Sequence, residues 1–238
     1  MVTKRRSNTP SWLLRNWTAL WRLAAAALLG SAFLGGAAGA AEIWRTDNLQ
    51  RVGGEPVKVV GAPVVAGDGG TTVLVFDGVD DGIFLDRIPI AGASAFTVEM
   101  LFLPAADGKP EQRFFHMQDE QGRRGLLELR SDERGWWLDA YLRHSLDAAD
   151  RGLVLIDPKQ PHPLGRWYWV AMRYDGKRLT SFVDGVKQLE GAYVFGPIGQ
   201  GKVSLGVRQT LVSWFKGSIR EVRFHREAIP DSALQRAR

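Results

Sequence analysis

The chain has 238 residues, 31 basic and 26 acidic side chains, a formal net charge of +5 and no cysteine. Without cysteine there is no disulfide scaffold, thiolate zinc site, iron–sulfur cluster or cysteine nucleophile. The positive balance belongs to the first forty positions: Lys4, Arg5, Arg6, Arg15 and Arg22 stand there without an acid, and removing those five from 31 leaves 26 bases against 26 acids, so charge gives no support for a nucleic-acid partner.

Residues 1–40 read as an export signal. A basic stretch precedes an Ala/Leu/Gly run from Leu23 to Gly39, which closes on Ala38-Gly39-Ala40, the small-x-small pattern of a cleavage site. The twin Arg5-Arg6 lacks the following apolar residues of a twin-arginine signal, so the general secretory route is the reading. The rival is an uncleaved anchor, since the run is nearly long enough to span a bilayer; its Ala and Gly content makes it weakly hydrophobic. Either reading places the folded part, residues 41–238, in the periplasm or outside the cell. Apart from that segment no membrane span is expected.

Residues 42–72 carry several Gly and Pro and are expected to form one loosely patterned lead-in strand. From there on, short alternating segments are separated by turn pairs, with Asp-Gly at 68–69, 77–78, 81–82, 107–108, 175–176 and 184–185. Such pairs tolerate positive φ and close tight hairpins. Thr97–Leu103 puts Val98, Met100 and Phe102 on one face and Glu99 on the other. Leu126–Arg130, Trp136–Arg143, Trp167–Tyr174, Lys177–Val183 and Val203–Arg208 also read as strands. The one helix expected is terminal, with Asp231 as N-cap before Ser232–Arg236. Many short strands with no helical crossover indicate one all-β domain, an antiparallel β-sandwich.

The order of several segments carries a resemblance. Leu74-Val-Phe-Asp-Gly-Val-Asp-Asp-Gly82 is followed by Phe96-Thr-Val-Glu-Met100, then Trp167-Tyr-Trp-Val-Ala-Met-Arg-Tyr-Asp-Gly176, Phe182-Val-Asp-Gly-Val186 and Phe215-Lys-Gly-Ser-Ile-Arg-Glu-Val-Arg-Phe224. Over roughly residues 57–236 the chain resembles a laminin-G-like jellyroll domain of the concanavalin A-like lectin/glucanase superfamily. The resemblance implies two curved antiparallel sheets packed face to face and a role in binding glycans or glycoproteins. It leaves activity open, because the fold hosts lectins, hydrolases and lyases.

Glucan-cleaving relatives carry Glu-x-Asp-x-x-Glu or Glu-x-Asp-x-Glu on one strand, so that alternation aims every carboxylate into the cleft. This sequence has no such run; Leu126-Leu-Glu-Leu-Arg130 offers one carboxylate. Gly92-Ala-Ser-Ala-Phe96 is not a nucleophile elbow, and His116, His144, His162 and His225 lack metal-ligand spacing. No cofactor is expected. The resemblance implies a structural calcium in many members, one ligand being the Asp of an Ile-Asp-Glu-Val strand. Here the strand reads Ile219-Arg-Glu-Val222, and a cation there disfavours calcium. Arg220 is expected to replace the ion by pairing with an acid such as Asp68.

Pleat alternation marks a candidate binding face. Leu127 and Leu129 share one side of their strand, Glu128 and Arg130 the other. Trp136, Leu138, Ala140 and Leu142 share one side of the next, with Trp137, Asp139, Tyr141 and Arg143 opposite. With the apolar sets in the core, Glu128, Arg130, Asp139, Tyr141 and Arg143 gather on one outer surface. Arg113, His116 and Gln118 extend it from the preceding segment, and Arg208 and Trp214 from a late loop. Such a surface suits hydrogen bonding and ring stacking with a sugar, and its arginines suit uronate carboxylates. The opposing reading is a solvated outer face with cross-strand ion pairs. The function expected is therefore an exported, non-catalytic glycan- or glycoprotein-binding module. The alternative is a lyase or hydrolase in which Tyr141 or His116 moves the proton.

Overall fold

The structure, a computed structural model, describes residues 39–237. The expected export signal therefore lies, but for its last two residues, outside the described residues. Among the described residues no helix is long and apolar enough to cross a membrane.

Among the described residues seventeen strands follow in order: β1 (Glu42–Arg45), β2 (Arg51–Val52), β3 (Glu55–Pro56), β4 (Lys58–Val60), β5 (Val64–Asp68), β6 (Thr71–Asp77), β7 (Gly82–Leu85), β8 (Phe96–Pro104), β9 (Glu111–Asp119), β10 (Arg124–Asp132), β11 (Gly135–Arg143), β12 (Leu153–Ile156), β13 (Tyr168–Tyr174), β14 (Arg178–Val183), β15 (Val186–Ala192), β16 (Gly201–Leu205) and β17 (Lys216–His225). One sheet runs β15-β14-β13-β8-β17-β6-β5, with β1 also paired to β17. The other runs β12-β11-β10-β9-β16-β7-β4, and β2-β3 forms a small ribbon. Every paired strand in the two large sheets is antiparallel.

The two sheets meet through their alternating apolar faces. Phe96, Val98, Met100 and Phe102 of β8 are buried in one core with Trp136, Leu138, Ala140 and Leu142 of β11. Phe102 joins the layers: its ring stacks on Phe114 of β9 at 4.3 Å and meets Trp136 edge-on at 5.1 Å, spacings at which aromatic pairs add to simple burial. The Asp184-Gly185 turn closes β14 onto β15 with φ of 48° and 69°. Positive φ at both central residues matches the twist of the strands it joins.

Two expectations need correction. Residues 42–72 are not one lead-in strand; they hold β1 to β5 and the start of β6, distributed over both sheets and the ribbon. The Gly and Pro residues break the segment into pieces too short to show periodicity. The terminal helix is a single 3-10 turn, Asp231–Ala233, preceded by Pro230 in an extended conformation and lacking a side-chain cap. Asp231 contacts Arg173 on β13 at 2.5 Å instead of capping, and Ile229 and Leu234 pack on Ala171 and Phe182. Tertiary docking decides the conformation of so short a segment.

Candidate functional site

The outer face of the seven-stranded sheet carries a depression of about 220 Å³, lined by Arg113, Arg124, Leu126, Glu128, Arg130, Asp139, Tyr141, Val154 and Arg208. Adjacent strands bring these side chains together. Glu128 on β10 lies opposite Asp139 on β11, Leu126 opposite Tyr141, and Arg124 opposite Arg143. Val154 enters from the edge strand β12, opposite Tyr141.

Arg113 reaches this face through a bulge. Along β9, Phe115 pairs with Leu127 but Arg113 pairs with Glu128, so Phe114 is an extra residue. Phe114 and Phe115 both enter the core as a result, and Arg113 comes to share a face with His116 despite the odd spacing. The bulge is pinned by Arg113 N donating to Ser213 O at 2.8 Å and Gly206 N donating to Phe114 O at 3.1 Å.

Two acids directly opposed across a ladder repel one another. Here Arg130 lies between them, 3.0 Å from Asp139 Oδ2 and 3.6 Å from Glu128 Oε2, and Arg113 Nε approaches Glu128 Oε1 to 3.1 Å. Glu111 contacts both guanidinium groups from the rim. Burial, and then the Asp139 carboxylate, push Glu128 up to about 7 against the two arginines. Burial likewise raises Asp139 against Arg130.

The other end of the depression is built differently. Arg124 is 8% exposed and its guanidinium carbon lies 5.8 Å from the Tyr141 ring centre. Its Nε and that of Arg208 are buried without a hydrogen-bond partner among the described residues. Burial, followed by Arg124 and Arg113, lowers the Arg208 pKa. Tyr141 is held from below, its hydroxyl 3.4 Å from Arg151 O. A Cβ at Gly152 would stand 2.6 Å from that hydroxyl, so the bare glycine leaves room for it.

Six of the ten expected residues therefore line one depression: Arg113, Glu128, Arg130, Asp139, Tyr141 and Arg208. The other four are placed apart. His116 is 1% exposed, and its Nδ1 accepts from Gln209 N at 3.0 Å. Burial, then Arg208 and Arg124, bring its pKa down to about 3. It is a packed imidazole that does not line the depression. Gln118 lines a neighbouring polar depression of about 550 Å³ with Asp119, Lys202 and Gln209. Arg143 turns away to donate to Asp147 O at 2.8 Å, and Trp214 is half-buried and does not line the depression. Arg124, Leu126 and Val154 are the lining residues that sequence reasoning did not name.

Elsewhere, Arg220 pairs with Asp68 and lies 4.4 Å from the Trp167 ring centre, while Trp167 Nε1 donates to the same carboxylate at 2.9 Å. The carboxylates of Asp77, Asp80 and Asp81 lie within 4.8 Å of one another, but Asp77 accepts from Val79 N and Asp81 from Ala62 N and Asp77 N, the pattern of a turn.

Residues 77–235 match the laminin G family described as the Concanavalin A-like lectin/glucanases superfamily. No curated protein matches the sequence. Among solved structures the chain is similar to domain 4 of AbnA, an extracellular GH43 arabinanase from Geobacillus stearothermophilus, in complex with arabinotriose. That likeness has a TM-score of 0.61 at 17% identity, over 82% of this chain and 97% of that domain. It is also similar to the binding domain of Botulinum Neurotoxin DC in complex with SialylT (TM-score 0.60, 8% identity, 82% of this chain and 50% of that one). The binding domain of Paraclostridial Mosquitocidal Protein 1 gives a TM-score of 0.58 at 11% identity, over 81% and 50%. The chain thus spans about half the length of the toxin domains.

Proposed function

The chain belongs to the concanavalin A-like lectin/glucanase superfamily, and from that premise we propose that it is an exported, non-catalytic glycan-binding module whose site is the depression over β9, β10 and β11. The carrying observation is the pairing, within one 220 Å³ hollow, of a tyrosine ring with six charged side chains reached from three strands and a loop. Charged groups with fixed neighbours present directed donors and acceptors to sugar hydroxyls, and the Tyr141 ring with Leu126 and Val154 gives an apolar wall for a pyranose face. The arabinotriose complex of the AbnA domain supports the same chemistry. Shallow sites of this kind bind on the order of micromolar to millimolar.

A glycan array probed with the protein, followed by titration of any hit against Tyr141→Ala, tests this reading. Binding weakened at least tenfold by the substitution is expected; an array without hits overturns it. A reducing-end assay on the same glycans separates the second reading, an enzyme. Glu128 favours that reading, since a buried carboxyl near pH 7 is suited to general acid chemistry. Turnover abolished by Glu128→Gln would establish it.

We also read Arg220 as standing where relatives hold calcium. A guanidinium already paired with Asp68 does not fit a divalent cation.

A further inference from the structure

We propose that Arg124 and Arg208 form a carboxylate subsite, so that the glycan this site takes is an acidic one built from uronic or other carboxylated sugars. The inference rests on the glycan-binding reading and specifies its ligand class. Of the four arginines in the depression, Arg113 and Arg130 are neutralised by Glu111, Glu128 and Asp139. Arg124 and Arg208 have no acid within ion-pair distance among the described residues, and the Nε of each is buried without a partner. The residue opposite Arg124 on β11 is another cation, Arg143.

A guanidinium cannot relieve burial by releasing its proton near neutral pH. Burying one without an anion is unfavourable, and an anion of matching geometry relieves that. A carboxylate presents two coplanar oxygens to the two-pronged guanidinium edge. Burial is the larger cause of the lowered His116 and Arg208 pKa values, and the neighbouring arginines push each further the same way, so an anion here would meet positive charge. The Tyr141 ring beside Arg124 favours a carboxylate carried on a sugar ring over a free small anion, because ring and charge would be engaged together. At about 220 Å³ the hollow is smaller than the ~300–1,000 Å³ of sites that enclose drug-sized ligands, so it would seat about one residue of a longer chain.

The test uses calorimetric titration with oligogalacturonate, oligomannuronate and hyaluronan tetrasaccharides, each beside the same oligosaccharide with its carboxyl groups reduced to alcohols. At least one acidic probe is expected to bind ten-fold or more tighter than its reduced partner. Arg124→Gln and Arg208→Gln are each expected to abolish that preference, while Arg166→Gln, in the loop before β13 and not among the lining residues, leaves it intact. The preference of the unaltered protein is informative even where a variant fails to fold. Equal binding of acidic and reduced probes, both weakened by Tyr141→Ala, overturns the carboxylate subsite and leaves the glycan reading standing. Binding of neither series, together with an array without hits, overturns both. A preference that survives both arginine substitutions also overturns the subsite.

Discussion

On the outer face of the eight-stranded sheet, Glu99 of β8 is buried at 1% exposure with both carboxylate oxygens occupied. His225 Nε2 lies 3.0 Å from Oε2, and Gln235 N donates to Oε1 at 2.8 Å. Ile229 and Leu234 of the C-terminal segment pack beside it with Ala171 and Phe182. On the outer face of the seven-stranded sheet, Arg124 is also buried, at 8% exposure, yet its Nε has no partner among the described residues and it lines an open hollow. The first face shows a charge whose partners come from within the chain, and burial there consolidates the fold. The second shows a guanidinium with no acid paired to it and a buried Nε without a partner among the described residues, a local conflict of the kind that marks a functional surface.

The covered face can be broken directly. Phe182 is fully buried, with the Arg173 guanidinium 4.7 Å from its ring centre. Phe182→Ala is expected to lose about 3–5 kcal/mol, which lowers the melting temperature by roughly 6–20 °C in a domain of this size. Glycan affinity at saturating fold should be unchanged, because the residue lies on the other sheet. A melting shift under about 2 °C, measured by differential scanning calorimetry, would mean that the C-terminal segment does not close this face.

Within the open face, the acidic end can be examined through its pH dependence. Glu128 is pushed up to about 7 from an ordinary 4.5, so the folded state holds its proton more tightly than the unfolded chain does. Its contribution to stability is complete below about pH 4.5 and declines as pH rises through 7. Asp139, also raised, acts in the same direction. His116, brought down to about 3, acts oppositely between about 3 and 6.5, but it is present in both proteins and cancels in a comparison. Glu128→Gln should therefore gain on the parent by on the order of 1–3 kcal/mol between pH 5 and pH 8, read from urea denaturation at each pH. A difference that stays flat would show that Arg113 and Arg130 keep Glu128 ionised throughout.

Much of both faces was legible from alternation alone. Val98, Met100 and Phe102 turn inward and Glu99 outward, and the two sides of β10 and β11 separate as their spacing predicts. Arg124 continues the series Leu126, Glu128, Arg130 by one more step of two, but Gly125 carries no side chain to extend the alternation and so masks the start of β10. Val154 was not legible this way, because an edge strand becomes a neighbour of Tyr141 only through the topology. Arg113 is named with His116 although the two stand three residues apart, and only the bulge makes that grouping right. A single extra residue, Phe114, reverses the parity of everything before it in β9, and no pattern in Glu111–Gln118 announces that. The terminal helix failed because a few residues carry too little propensity to resist docking onto Ala171 and Phe182.

The smallest effect is the most discriminating between the two faces. Arg124→Met keeps the length and apolar stem of the side chain while removing the unpaired charge. If Arg124 is a ligand group and not a fold group, the substitution breaks no ion pair and relieves Arg208 and Arg143 of a like-charged neighbour. Stability should then stay the same or rise by up to about 1 kcal/mol, a melting shift of about 0 to +4 °C. It should fall instead if Arg124 has the supporting role that Glu99 has on the other sheet, where replacing a partnered buried charge leaves other groups unsatisfied at about 1–3 kcal/mol. A loss of stability on Arg124→Met would erase the contrast between covered and open faces, since both buried charges would then be serving the fold.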